Sequence, residues 1–123
     1  MAVQYTIEYR DSVIEVHVSG SPDRASSAQM WTDIVAATKE HGCLYILGLS
    51  NLEESHKISD AIDHQAIFLE AGVTIDHRIA WVQMNPAVVE STRLVETILL
   101  NRGMVNGRLF DDEFEARRWL AAR

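Results

Sequence analysis

Cys43-Leu44-Tyr45-Ile46-Leu47-Gly48-Leu49 is a near-continuous apolar run without a charge. A strand with one face in water alternates apolar and polar residues. A run without alternation belongs to a strand covered on both faces, as in a parallel sheet flanked by helices. Ile79-Ala80-Trp81-Val82-Gln83-Met84 reads the same way further along. Neither is long enough to cross a bilayer.

The residues on either side extend this pattern. Upstream, Ala28, Trp31, Ile34, Val35 and Thr38 recur at helical spacing, with Lys39 and His41 in the last turn and Gly42 as a left-handed cap. That helix starts around Ser21 to Asp23, where Pro22 suits the first turn and Asp23 the positive helix end. Before it, Val3, Tyr5, Ile7 and Tyr9 alternate with Gln4, Thr6 and Glu8. Arg10-Asp11-Ser12 is a short break, and Val13 to Val18 reads as a second strand with Val16 and Val18 alternating with Glu15 and His17. So short a connection makes an antiparallel hairpin.

Downstream, Ser50 to Lys57 reads as a polar loop. A second helix follows, with Ile58, Ala61, Ile62, Gln65, Phe68 and Leu69 on one face and a stop at Gly72. Asn85-Pro86 starts a third helix that turns Val88, Val95, Ile98 and Leu99 inward and ends near Arg102, with Gly103 as its cap. Arg108-Leu109-Phe110 is a last short strand. Asp111 then caps a final helix in which Ala116 and Leu120 share a face, flanked by Phe114 and Trp119. Strands alternating with helices predict an α/β domain with a mostly parallel sheet, helices on its faces and an antiparallel first strand. Residues 1–123 hold no repeat, low-complexity tract or linker, and read as one domain.

The acidic residues number 18 and the basic ones 11, a net charge of −7. That weighs against nucleic acid or an anionic membrane as partner. One cysteine, Cys43, makes an internal disulfide impossible and suits a reducing cytoplasm. Met1 to Tyr9 is a strand pattern, not a secretory leader.

Ligands of open parallel sheets bind beyond the carboxyl ends of the strands. Here those positions are Gly20 to Asp23, Ser50 to Ser59, Asn85-Pro86 and Asp111-Asp112, with only Arg24 and Lys57 as nearby cations. Neither G-x-G-x-x-G nor a Walker-type GK[ST] occurs, nor does the G-x-S-x-G elbow, so no cofactor and no catalytic residue is expected. His56, Asp60 and His64, with Asp63 beside them, would share one helix face and could hold a transition metal. Helix-dipole and surface pairing account for them more simply. His17, His41 and His77 read as surface histidines, Cys43 as a buried small hydrophobe, and the three tryptophans as core or core-edge residues. Ser55 and Ser59 lie where free backbone N–H groups at a helix start would favour an added phosphate or a simple cap.

Arg78-Ile79-Ala80-Trp81-Val82 resembles the "R-I-A-hydrophobic-hydrophobic" strand of SpoIIAA-like, STAS-related proteins. Arg108-Leu109-Phe110-Asp111-Asp112 with Glu115-Ala116 and Trp119-Leu120 is similar to that group's terminal motif, and Val16-His17-Val18-Ser19-Gly20 to its second strand. The resemblance implies a STAS-like sandwich of four parallel strands and an antiparallel edge strand, with helices on both sides. In the anti-sigma-factor antagonists of that group a serine in D-S-[ST]-G heads the second helix and is phosphorylated by a partner kinase. The matching segment is Glu53-Glu54-Ser55-His56-Lys57, with His56 and Lys57 in place of the second hydroxyl and the glycine. Gly48 stands where the preceding strand of the group carries an aspartate. These departures resemble a divergent branch with a fold similar to CRAL-TRIO lipid-binding domains.

Two functions are therefore expected. The first is a non-enzymatic regulatory module that meets a protein partner around Ser50, Ser55, His56 and Ser59. The second is a carrier of a small apolar ligand or lipid between sheet and helices, lined by Phe68, Leu69, Leu94 and Ile98. The hairpin edge carrying Tyr5, Ile7 and Tyr9 offers a place for a second copy to pair, as a homodimer.

Overall fold

The computed structural model describes every residue but 1–2, 22, 53–57, 102, 104–105 and 123, and leaves out the side chains of 58–63, 91, 95 and 98–101. The described residues form β1 (Val3–Arg10), β2 (Val13–Gly20), α1 (Arg24–His41), β3 (Tyr45–Leu52), α2 (Ile58–Ala71), β4 (Arg78–Gln83), α3 (Val89–Asn101), β5 (Asn106–Phe110) and α4 (Glu113–Ala121). One 3-10 turn, Pro86–Val88, leads into α3. The strands form one sheet in sequence order, with β1 antiparallel to β2 and every later pair parallel.

That order decides which face each helix covers. The crossovers from β2 to β3, β3 to β4 and β4 to β5 all step the same way across the sheet. A common right hand then puts α1, α2 and α3 on one side. Their core joins Ile14, Val16, Val18, Ile46 and Ile79 of the sheet to Met30, Trp31, Ile34, Val35, Ile67, Phe68 and Val88. α4 follows the last strand, crosses back to none, and covers the other side, where Ala116 and Leu120 pack on Val13, Leu47, Leu49, Ala80 and Val82. Burying a side chain such as Leu120 contributes about 2 kcal/mol. With helices on both sides, the alternating inner residues of β3 serve two cores, which is why its sequence does not alternate.

Several local readings shift. β3 begins at Tyr45, not Cys43, and runs on through Ser50-Asn51-Leu52, which the polarity of the segment assigns to a loop. Cys43 is buried and its thiol donates to the Ser12 carbonyl at 3.3 Å. On α2, Ile67 and Phe68 face the core and Leu69 is 71 % exposed. Three consecutive apolar residues cannot all face one sheet, and periodicity alone does not say which one is left out. Met84 projects beyond β4 and is half exposed. Asp112, not Asp111, caps α4, its Oδ1 accepting from the Phe114 N–H at 2.8 Å.

Glu15 alternates with Val16 and so lies on the opposite face of the sheet, which α4 covers, and it is 1 % exposed. Its carboxylate accepts from Arg117 at 3.0 Å and Arg10 at 3.1 Å, and lies 2.9 Å from His17 Nε2. Burial is the largest influence on its pKa and raises it. The hydrogen bonds from Arg117 and His17, with the charges of Arg117 and Arg10, outweigh that and hold it below its ordinary value.

His77 is buried as well, against the surface position read for it. Its Nδ1 accepts from the Thr74 N–H at 3.1 Å, and its Nε2 lies 3.4 Å from Thr38 Oγ1, which donates to the Val35 carbonyl at 2.6 Å. The neutral ring protonated on Nε2 satisfies every contact. Burial, helped by Lys39, lowers its pKa below 6.5, while the Thr74 backbone and Asp76 pull the other way. The unfolded chain therefore binds this proton first. The stabilisation from neutral His77 is complete above about pH 6.5 and declines as pH falls towards the folded-state value. Thermal unfolding should show Tm falling between about pH 7 and pH 5. His77→Asn, which keeps an acceptor for Thr74, should flatten that slope, and an unchanged slope would assign it to other groups.

Candidate functional site

The carboxyl ends of β2, β3 and β4 lie side by side, with Gly20 in register with Leu52 and Ser50 with Gln83. A buried polar network ties these exits together. Gln83 Nε2 donates to Ser50 Oγ at 3.3 Å and to Thr92 Oγ1 at 3.2 Å. Thr92 Oγ1 in turn donates to the Val88 carbonyl at 2.9 Å. Gln83 Oε1 accepts from the Asn85 N–H at 3.3 Å. Asn85 Nδ2 donates to the Leu52 carbonyl at 2.7 Å, and its Oδ1 accepts from the Ala87 N–H at 3.1 Å. Ser50 is fully buried and Gln83 nearly so.

This arrangement secures the last residue of β3 before segment 53–57 and, through Thr92, the first turns of α3. It does so with amides and hydroxyls: the Gln83 amide donates twice and accepts once, and the Thr92 hydroxyl both accepts and donates. The bonds among these groups and to the Leu52, Val88, Asn85 and Ala87 backbone hold that backbone in place. Beside it, at the exit of β2, Ser21 Oγ is buried with no partner among the described residues. Asp23 occupies the start of α1, its carboxylate accepting from the Ser26 N–H at 2.8 Å. That bond, from the Ser26 backbone, is the main cause of its lowered pKa. A carboxylate already sits where an anion would bind.

Of the residues read as a partner-binding site, Ser50 lies in the network, in the strand and not in a loop. Ser55 and His56 fall in segment 53–57, outside the described residues, as do Glu53, Glu54 and Lys57. Ser59 lies in the first turn of α2, its side chain outside the description. For the metal reading, His56 and the Asp60 side chain are likewise outside it, while His64 sets its ring edge-on to Phe68 with centroids 6.2 Å apart. Among the described residues no three metal-ligating side chains gather.

Phe68 packs against Trp31 at 4.5 Å between ring centroids, inside the core, whereas Leu69 and Leu94 point to solvent at 71 % and 40 % exposure. The Ile98 side chain lies outside the description. Among the described residues no helix is long and apolar enough to cross a membrane.

The sequence reading missed the Gln83–Thr92–Asn85 network. One signal was available, a lone amide near the end of an apolar strand, which must find partners when the strand is buried on both faces. Gly48 also gains an explanation. It pairs with Trp81 across β3 and β4, and the indole lies where a side chain at position 48 would stand.

No protein-family model and no curated protein sequence matches the chain. Among solved structures it is similar to an anti-sigma factor antagonist from Mycobacterium paratuberculosis, at a TM-score of 0.61 and 15 % identity, over 98 % of this chain and 95 % of that one. At that identity the likeness speaks for the fold. The antiparallel edge strand, four parallel strands and helices on both faces are those of a STAS-type α/β domain, as the sequence motifs imply.

Proposed function

We propose that the chain is a cytoplasmic regulatory module without chemistry of its own, which meets a protein partner through the segment leaving β3 and the start of α2. The observation that carries this reading is the buried network of Ser50, Gln83, Asn85 and Thr92. It fixes the base of that segment with groups unsuited to proton transfer. Likeness in fold to an anti-sigma factor antagonist supports the same reading. A phosphate on Ser55 or Ser59 would add negative charge at this end of α2 and change how a partner docks.

The test is capture of binding proteins from a lysate of the source cells with the wild-type chain and with Ser55→Asp and Ser59→Asp. A reproducible partner that one of the acidic variants releases is the expected result. Failure of every form to retain a partner would overturn the proposal. Asn85→Ala, which frees the Leu52 carbonyl, should cost about 1 kcal/mol of stability in denaturant titrations. It should also weaken capture of the same partner, because the segment loses its anchor.

A further inference from the structure

We propose that the chain forms a two-fold homodimer by antiparallel pairing of β1 with β1 of a second copy, centred on Ile7. The backbone of β1 identifies which groups are free. Arg10 and Val13 flank the two-residue turn Asp11-Ser12, whose φ values of 55° and 63° are those of a tight hairpin turn. In such a turn the flanking residues exchange hydrogen bonds, and bonded pairs then alternate along the ladder. Arg10, Glu8, Thr6 and Gln4 therefore point their N–H and C=O groups at β2, and Val3, Tyr5, Ile7 and Tyr9 point theirs outward. The Val3 N–H agrees, since it donates away from the sheet to Ser26 Oγ at 3.0 Å.

The two edges of the sheet are treated differently. At the β5 edge the Leu109 N–H donates to the Glu96 carboxylate. At the β1 edge Ser26 covers Val3, but among the described residues nothing accepts from or donates to the outward groups of Tyr5, Ile7 and Tyr9. Exposed strand edges are usually blocked or paired.

The sequence of β1 selects a second copy as the occupant and sets its register. Centring on Ile7 places Tyr5 opposite the partner's Tyr9 and Ile7 opposite the partner's Ile7. All three free residues then become bonded pairs. On the opposite face Thr6 meets the partner's Glu8 and Gln4 the partner's Arg10, so no like charges stand opposite each other. Centring on Tyr5 would call on the Val3 N–H that Ser26 holds, and centring on Glu8 would oppose two glutamates. β1 itself carries one Glu and one Arg and is neutral, in a chain of net charge −7. The paired strands themselves therefore set no acidic residue against another, and the nearby Asp33 of α1 is engaged by the Tyr5 hydroxyl.

Light scattering on the purified chain should give twice the monomer mass, and a monomer at every concentration would overturn the proposal. Tyr9→Pro removes an outward N–H, which an edge strand tolerates, and should return the monomer. Tyr9→Ala, which keeps the N–H and loses only the ring stacked on His41, should remain dimeric. A folded Tyr9→Pro that stays dimeric would overturn the proposal. Should Tyr9→Pro fail to fold, hydrogen exchange on the wild type decides. Amides of Tyr5, Ile7 and Tyr9 should slow as concentration rises, and concentration-independent exchange would exclude this edge.

Discussion

Gly48→Ala should lower stability by about 3 kcal/mol, and Gly48→Asp should leave the chain unfolded at ordinary temperature. A Cβ at position 48 would stand 2.1 Å from Trp81 Cε3, 2.3 Å from Cζ3 and 2.6 Å from Cδ2. Those are contacts with the body of a ring, not with the end of a flexible chain. The ring has little room to retreat. Trp81 stacks on Trp31 at 5.4 Å between centroids, and Trp31 packs on Phe68 at 4.5 Å, so a shift at Trp81 is passed to α1 and α2. Asp would add a buried carboxylate to the same clash. A double-mutant cycle with Trp81→Leu isolates the effect, because without the indole Gly48→Ala should cost less than about 1 kcal/mol. Denaturant titration of the four proteins checks it, and a small cost of Gly48→Ala in the wild-type background would show that the ring yields easily.

The same pair shows what could be read from the chain and what could not. The apolar run of β3 and the short break at Asp11-Ser12 were enough for a mostly parallel sheet with an antiparallel first strand. Both signals are local: missing alternation reports two covered faces, and a short connection reports a hairpin. That Gly48 is reserved for an indole 33 positions later depends on the β3–β4 register, which no local pattern encodes. The burial of Glu15 is hidden from the sequence for the same reason. Alternation correctly puts it on the face opposite Val16, but whether that face is wet depends on α4 at the far end of the chain. Which of Phe68 and Leu69 turns inward is a matter of rotation, since the apolar run Ile67-Phe68-Leu69 leaves the inward face of α2 undetermined until Phe68 meets Trp31. For the segment proposed to meet a partner, what is legible is its base. Ser50 and Asn85 were singled out from sequence, while Gln83 and Thr92, which join them, are ordinary residues until the strands pair.

Arg117→Ala should destabilise the protein by about 2 kcal/mol at neutral pH, and most of that loss should vanish when Glu15→Gln is added. Arg117 bridges Glu15 Oε2 at 3.0 Å and Glu113 Oε2 at 2.8 Å, and so ties α4 to β2. Removing it leaves a carboxylate that is 1 % exposed with, among the described residues, Arg10 and His17 as its remaining partners, both on the rim. The penalty is set below the 3–5 kcal/mol typical of a fully buried broken pair because those two remain. The pH dependence separates this cause from lost packing. In the wild type the folded-state pKa of Glu15 lies below 4.5, so its contribution is present above that value and is lost as pH falls through the folded value. Without Arg117, burial is opposed by fewer hydrogen bonds and the folded-state pKa rises. Protonation then relieves the variant at a pH where the wild type is still charged, and the gap between them should narrow from about pH 7 to about pH 4. Denaturant titrations of wild type, Arg117→Ala and Glu15→Gln/Arg117→Ala at both ends of that range test it. A gap independent of pH, with no recovery in the double variant, would mean that Arg117 stabilises α4 through its aliphatic stem and not through the charge beneath it.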